Sequence, residues 1–444
     1  MWYKTALKIN RYRNMKKIGF LLGVCIGLAV TVSAQSNYGV NFSSLLSEHL
    51  TLENAIRLGL ENNSEFLTAR QEITIAEQKV SEAKFRYLPQ FALQGSASWY
   101  DADSAMVLPE IATNRFLPPS KTLDSNRYYG VGVGATQYIY SGGRIQGALK
   151  AARANLKQAQ SRYESVKNAV VLDIKKSFVR LLYAQQSADL TQNLWQKTAR
   201  WNLSSDGWTR IREQALLAQL RARAQEAQYE LKQARLAMLV SLNKETNSPL
   251  TISGSLEPVT VNGDLPHFQV WATEFRPELK AAIYALELNS IAIDLALSKR
   301  YPDILLNASY ERVGASDLDD ENKQISLAVR LPIPYTFSQQ VNQKKAEQKK
   351  GTLHRAAIED SIRVQVSSSF NKMAFWQQEV KNRKETYETL GIGVSKQLRQ
   401  APHSGVTALE ALRDYLQTAQ NYLEALRENH TAKAELEWAI GKDL

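Results

Sequence analysis

A chain of 444 residues that is 44% hydrophobic and 22% charged has a globular rather than a disordered balance, with length for two or three ordinary domains. Its formal charge of +11 does not mark a nucleic-acid binder, because Lys and Arg are interspersed with Glu and Asp along helical stretches, as on solvated faces. The single cysteine, Cys25, excludes a disulfide framework and a cysteine zinc site.

Residues 1–34 read as a secretory signal peptide. Basic Met15-Lys16-Lys17 precedes the apolar run Ile18 to Val30, and Val32-Ser33-Ala34 is a small-residue cleavage site. Met1 and Met15 are both possible starts. Cleavage after Ala34 removes six basic residues and no acid, so +11 falls to +5. Cys25 lies inside the apolar run behind Val24, where a lipidation site wants a small residue, so cleavage at Ala34 is the preferred reading. Beyond Ala34 every window of spanning length carries charge, so the sequence predicts no transmembrane helix. An exported chain of this kind either floats or spans by strands.

From residue 35 onward the chain reads as a duplication. An offset of 213 residues aligns Glu61 with Glu274, Glu65 with Glu278, Ala69 with Ala282, Ala83 with Ala296, Pro89 with Pro302 and Ser96 with Ser309 without a gap. The first repeat, 35–245, is predicted to hold a helix over 51–87, strands over 90–100 and 127–140, and helices over 143–202 and 208–243. A linker or equatorial segment, 246–266, follows. The second repeat, 267–444, is predicted to hold a helix over 272–300, strands over 303–312 and 323–333, and helices over 338–400 and 406–441.

The periodicities support these elements. Ala69, Ile73, Ala76, Val80, Ala83 and Tyr87 alternate steps of four and three, the seam of a coiled coil rich in small residues; Leu217, Leu220, Ala224, Ala227, Leu231, Ala234 and Met238 form another. No proline falls between Pro119 and Pro249 or between Pro334 and Pro402, so the long helices are expected to run unbroken. In the strands, Phe91, Leu93, Gly95, Ala97 and Trp99 alternate with Gln94, Ser96 and Ser98, while Trp99, Tyr100, Tyr128, Tyr129, Tyr138, Tyr140 and Tyr310 gather near strand ends. That pattern suits either an ordinary antiparallel sheet with one wet face or a transmembrane β-barrel with aromatic girdles. Export and the long helices favour the barrel. Four strands cannot close one, and every edge in lipid must be paired, so oligomerisation is then required.

The stretches "LTLENAIRLGLENNSEFLTAR", "YLPQFALQGS", "QYIYSGGRIQGALKAARANL", "RPELKAA" and "SGVTALEALRDYLQTAQNYLEAL" ending in "AELEWAIG" resemble the TolC family of outer-membrane efflux proteins over nearly the whole mature chain. The resemblance implies an α+β membrane protein: a homotrimer with a twelve-stranded β-barrel in outer-membrane lipid and a hollow α-helical barrel reaching through the periplasm. It implies partners too, a periplasmic adaptor protein and an inner-membrane transporter of RND or ABC type. In this light Gly142 and Gly143 form the strand-to-helix junction, while the second junction, "LPIPYTFSQQVNQ", lacks the glycine pair and is closer to metal-efflux relatives.

The resemblance assigns the hairpin tips Gly207, Thr209, Gly405 and Thr407 as adaptor contacts; tight helix reversal alone also explains them. Family members narrow the tunnel with two aspartates after the second tip glycine, where this chain has Ala411 and Asp414. Glu410, one turn before Asp414, shares its face, so Asp414 and Glu410 are aperture candidates for a cation-selecting carboxylate ring. A solvated pair offset by Arg413 is the alternative. His49, His267, His354, His403 and His430 are scattered, and "GVGVGA" lacks nucleotide-loop spacing, so no enzyme, metal or cofactor is expected. The expected function is a passive exit duct for small toxic molecules or drugs. Metal-ion efflux, a polypeptide secretion duct of the same family, and a periplasmic coiled coil without a pore are the rivals.

Overall fold

A computed structural model describes residues 50–99, 106–107, 122–123, 127–314, 320–333, 335–400 and 405–444. The expected signal peptide with Met15 and Cys25, and the expected girdle residue Tyr100, lie outside the described residues. Tyr128 is placed in its strand without a described side chain.

The chain begins with α1 (Leu52–Asn62), capped by Thr51, and continues into α2 (Ser64–Phe85). One helix over 51–87 was the expectation; the chain instead turns at Asn63, whose backbone is extended (φ −70, ψ 122). The side-chain oxygen of Asn63 accepts from the Phe66 N–H at 3.0 Å, so local capping there competes with helix continuation. The helix expected over 272–300 is divided in the same manner. Here α5 (Leu265–Phe275), which starts inside the segment expected to be linker, is separated from α6 (Pro277–Ser298) at Arg276 (φ −62, ψ 118). Pro277 lacks an N–H and biases the residue before it away from helix. The two bends stand 213 residues apart, the offset of the sequence alignment.

Among the described residues there are six strands, β1 (Gln90–Trp99), β2 (Met106–Val107), β3 (Thr122–Leu123), β4 (Arg127–Tyr140), β5 (Asp303–Gly314) and β6 (Asp320–Arg330), of which β1 and β5 follow Pro89 and Pro302. They form one four-stranded antiparallel sheet, in the order β1-β4-β5-β6, and a short β2-β3 pair. The strand expected over 323–333 ends at Arg330, two residues before Pro332, which has no N–H for a ladder.

The remaining mass is four long helices, α3 (Arg144–Thr198), α4 (Gly207–Ser241), α7 (Phe337–Gln400) and α8 (Val406–Ile440). At ~1.5 Å per residue the 55 residues of α3 reach ~80 Å and the 64 of α7 ~95 Å. Nearer the sheet, α3 packs on α2 and α6, and α6 on α7; farther away α3 pairs with α4 and α7 with α8. Glycines permit the closest contacts: a Cβ on Gly147 would stand 2.6 Å from Leu295, and one on Gly351 2.6 Å from Asn289. Wedged between two helices, α6 is apolar enough by length and composition to cross a membrane, with a mean hydropathy of 1.4, against the expectation of no such helix. Its Leu279, Ala282, Ile291 and Ala296 are buried in protein contacts instead.

Among the described residues two apolar clusters hold the helices. Phe268, Leu279, Ile362, Val366, Met373, Leu436 and Ile440 join α5, α6, α7 and α8. Leu216, Leu220, Leu409 and Leu416 join α4 to α8 near the hairpin ends, with Trp195 and Trp201 packed against them.

Candidate functional site

The ladder sorts the sheet's side chains onto two unlike faces. Pairings such as Phe91↔Ala135, Leu93↔Val133, Val133↔Tyr310 and Ala308↔Ile325 put Phe91, Leu93, Trp99, Val131, Val133, Leu306, Ile325, Leu327 and Val329 together on one convex side. All are exposed, Phe91 at 76% and Ile325 at 81%. Such a contiguous apolar surface is unfavourable in water and suited to lipid. The other side is concave and lined by Gln90, Gln94, Thr136, Asn307, Ser309, Glu311, Gln324 and Ser326 around a hollow of about 130 Å³. Thr136 donates to Asn307 at 3.1 Å across β4 and β5. Among the described residues both outer strands, β1 and β6, have one side without a partner strand.

Among the aromatic residues, Trp99 and Tyr129 meet edge to face at 6.4 Å, with Tyr310 on the same face at the sheet end remote from the helices. Tyr140 is exposed at the opposite end. Tyr138, read from sequence with this girdle, lines a cleft beside Pro89, Ser141, Arg144 and Asp303, since it shares the face of Thr136, and the β4–β5 register shift after it pairs Tyr140 with Ile304 of the other face.

The passage from β4 into α3 is made by two successive left-handed glycines, Gly142 (φ 60) and Gly143 (φ 84). Gly142 is constrained a second time, since a Cβ would stand 2.7 Å from Tyr301. Arg144, the first residue of α3, forms an ion pair with buried Asp303, the first residue of β5, so the joint is pinned to the neighbouring strand.

At the first hairpin end, Asp206 caps α4 by accepting from the Thr209 backbone N–H at 3.0 Å and its hydroxyl at 2.6 Å. These bonds, the hydroxyl's foremost, hold the Asp206 carboxyl below its ordinary range. A Cβ on Gly207 would meet nothing, and the adjacent Trp208 is 84% exposed. One turn later Glu213 is buried and accepts from the Ser204 N–H at 2.7 Å, fastening the reversal. At the second end Gly405 (φ 123) precedes α8 and Thr407 is exposed; residues 401–404 lie outside the described residues. Sequence reasoning missed Trp208 and Glu213, although an indole beside a tip glycine was there to be noticed.

Asp414 and Glu410 occupy successive turns of α8, but each faces a guanidinium of its own chain. Asp414 pairs with Arg413 at 2.8 Å, and Glu410 with Arg212 of α4 at 2.5 Å. Glu410 therefore ties one hairpin to the other as well as sharing Asp414's helix.

The described residues thus combine a four-stranded sheet that is apolar on one side with long paired helices. Residues 55–201, from α1 to just past α3, match the family model described as outer membrane efflux protein. Solved structures extend the likeness to the described chain as a whole. The open-state MtrE outer membrane channel of Neisseria gonorrhoeae superposes with a TM-score of 0.71 at 17% identity, covering 88% of this chain and 89% of that one. The outer membrane protein VceC of Vibrio cholerae gives 0.69 at 13%, covering 88% and 96%. The Campylobacter jejuni CmeC outer membrane channel gives 0.67 at 16%, covering 88% and 85%. Sequence comparison with curated proteins returns no match. MtrE and CmeC are outer membrane channels.

Proposed function

We propose that three copies of this chain form the outer-membrane exit duct of a tripartite efflux pump, passively releasing small toxic molecules or drugs. An inner-membrane transporter and a periplasmic adaptor deliver the cargo. The observation that carries this reading is the sheet: its convex face suits lipid, its concave face suits water, and its two edges are open. Backbone groups left unpaired in hydrocarbon cost several kcal/mol each, so the edges need partners, and three sheets of four strands supply a twelve-stranded barrel. The long helices continue each sheet into a periplasmic tunnel of ~80–95 Å. The shared 213-residue offset of the Asn63 and Arg276 bends supports a duplicated plan behind that tunnel.

In this reading the ends at Gly207, Thr209, Gly405 and Thr407 meet the adaptor, with Trp208 adding apolar contact area. Asp414 and Glu410 face the aperture, their charge offset by Arg413 and Arg212. Mass measurement of the detergent-purified protein together with membrane fractionation tests the core of the proposal. A trimer confined to the outer membrane is expected; a monomer soluble without detergent would overturn it. Bulky substitution at both Gly207 and Gly405 is expected to abolish efflux at unchanged trimer yield.

A further inference from the structure

The two faces of the sheet handle charge differently. On the convex side Glu321 lies 3.9 Å from Arg312 and 3.4 Å from Lys323, so these charges offset one another at the end remote from the helices. On the concave side the hollow is lined by amides, hydroxyls and small residues with one charged residue, Glu311, while Asp303 and Arg330 lie on the same face at the end nearer the helices. Among the described residues no cation forms an ion pair with Glu311. Its hydrogen-bond donor is neutral Asn322, 2.8 Å away on β6.

Gly132 explains how this carboxylate is accommodated. It sits opposite Glu311 on β4, and a Cβ there would stand 3.0 Å from the Cβ of Glu311 and 3.1 Å from the Tyr310 carbonyl. Leaving out a side chain at 132 gives Glu311 its space on the inner face. The contrast with Asp414 and Glu410 is one of net charge, since each of those has its own arginine.

We propose that Glu311 sets the charge selectivity of the membrane-spanning part of the duct, favouring inorganic cations and cationic organic solutes over anions. The inference rests on the trimeric channel reading, in which three such carboxylates share one lumen. A ring of like charge in a narrow passage with low-dielectric walls raises the local concentration of counter-ions and repels co-ions. With a Debye length of ~10 Å at 0.1 M salt, the preference is strongest in dilute electrolyte.

The test is the reversal potential of the full-length protein in planar bilayers under a potassium chloride gradient, at low and high salt. Wild type is expected to prefer cations, and Glu311→Gln to move the reversal potential toward zero. Asn322→Lys, which sets an ammonium beside the intact carboxylate, is expected to move it the same way. Glu321→Gln, on the convex face, is expected to leave it in place. A wild type that never conducts would overturn the channel reading itself. Conducting pores whose selectivity is unmoved in both lumen variants, or is moved equally by Glu321→Gln, would overturn the Glu311 inference alone. Should Glu311→Gln fail to assemble, Asn322→Lys decides the matter.

Discussion

The bends at Asn63 and Arg276 have nearly the same backbone geometry and quite different chemistry. Asn63 makes its turn locally, with one side-chain acceptor serving the N–H of Phe66 three residues on. Arg276 turns because proline follows, and its buried side chain then works at long range. Its guanidinium donates to the Trp438 carbonyl at 2.9 Å and to Gln365 at 2.8 Å, lies 3.0 Å from Glu278 in an ion pair, and stacks 4.3 Å from the Trp438 ring. It thereby adds a second donor to the Trp438 carbonyl in the last turn of α8, which also accepts from the Gly441 N–H at 3.2 Å. A bend that in one half concerns only its neighbours has, in the other, become the anchor for the end of the last helix.

That contrast can be broken most severely at Arg276. Arg276→Ala removes the ion-pair partner of Glu278, which keeps the Ser165 hydroxyl, and one donor of the Trp438 carbonyl, which keeps the Gly441 N–H, and is expected to cost about 2–3 kcal/mol, read as a lowered unfolding midpoint of the detergent-purified protein. Arg276→Lys keeps the charge without the planar fork, so it should recover only part of that loss. Next in size is Gly441→Ala. Gly441 closes α8 at φ 75, and a Cβ there would stand 3.1 Å from the Phe275 backbone. The left-handed conformation alone costs about 1–2 kcal/mol, and the contact adds to it. Asn63→Ala removes one cap and is expected to cost about 1 kcal/mol, with Asn63→Asp close to neutral. Equal losses at Asn63 and Arg276 would show that the two bends are energetically alike, against the comparison drawn above.

The smallest expected effect concerns pH and sharpens how α8 is held. Burial pushes the Glu435 carboxyl up, but Lys176 of α3 and Lys372 of α7, at 2.6 and 3.0 Å, together hold it below its ordinary value. A carboxyl depressed on folding contributes stability above its unfolded pKa and loses that contribution as pH falls through the lower folded value. Thermal midpoints measured from neutral pH into the acid range should fall less steeply for Glu435→Gln than for wild type.

Much of the fold was legible because it rests on short-range pattern. Alternation at Phe91, Leu93 and Trp99 gave the strand faces, and Gly142-Gly143 marked the joint because only glycine takes two left-handed turns in a row at low cost. The bends were legible too, in Asn63-Ser64-Glu65 and Arg276-Pro277, yet unbroken apolar spacing across both sites outweighed those local signals. The partners of Glu410, Glu311 and Arg276 were not legible. Arg212 is 198 residues from Glu410, and Arg276 meets Trp438 across 162, so which charges are compensated depends on how the helices and strands are placed against one another.

The open edges of the sheet bear on how such a chain reaches its membrane. A lone protomer entering hydrocarbon would carry two rows of unsatisfied peptide groups, so a single inserted chain is not a resting point on the route. If three sheets close one barrel, as proposed, edge pairing, barrel closure and entry into lipid must proceed together, and the rate of biogenesis should rise more steeply than in proportion to the supply of chains. Long, flat, unpaired strands are also what templates aggregation in water. On the proposed route, therefore, the same edges that would build the pore are the chain's greatest hazard before closure, and escort by a chaperone or rapid encounter with sister chains would be a physical requirement of that architecture.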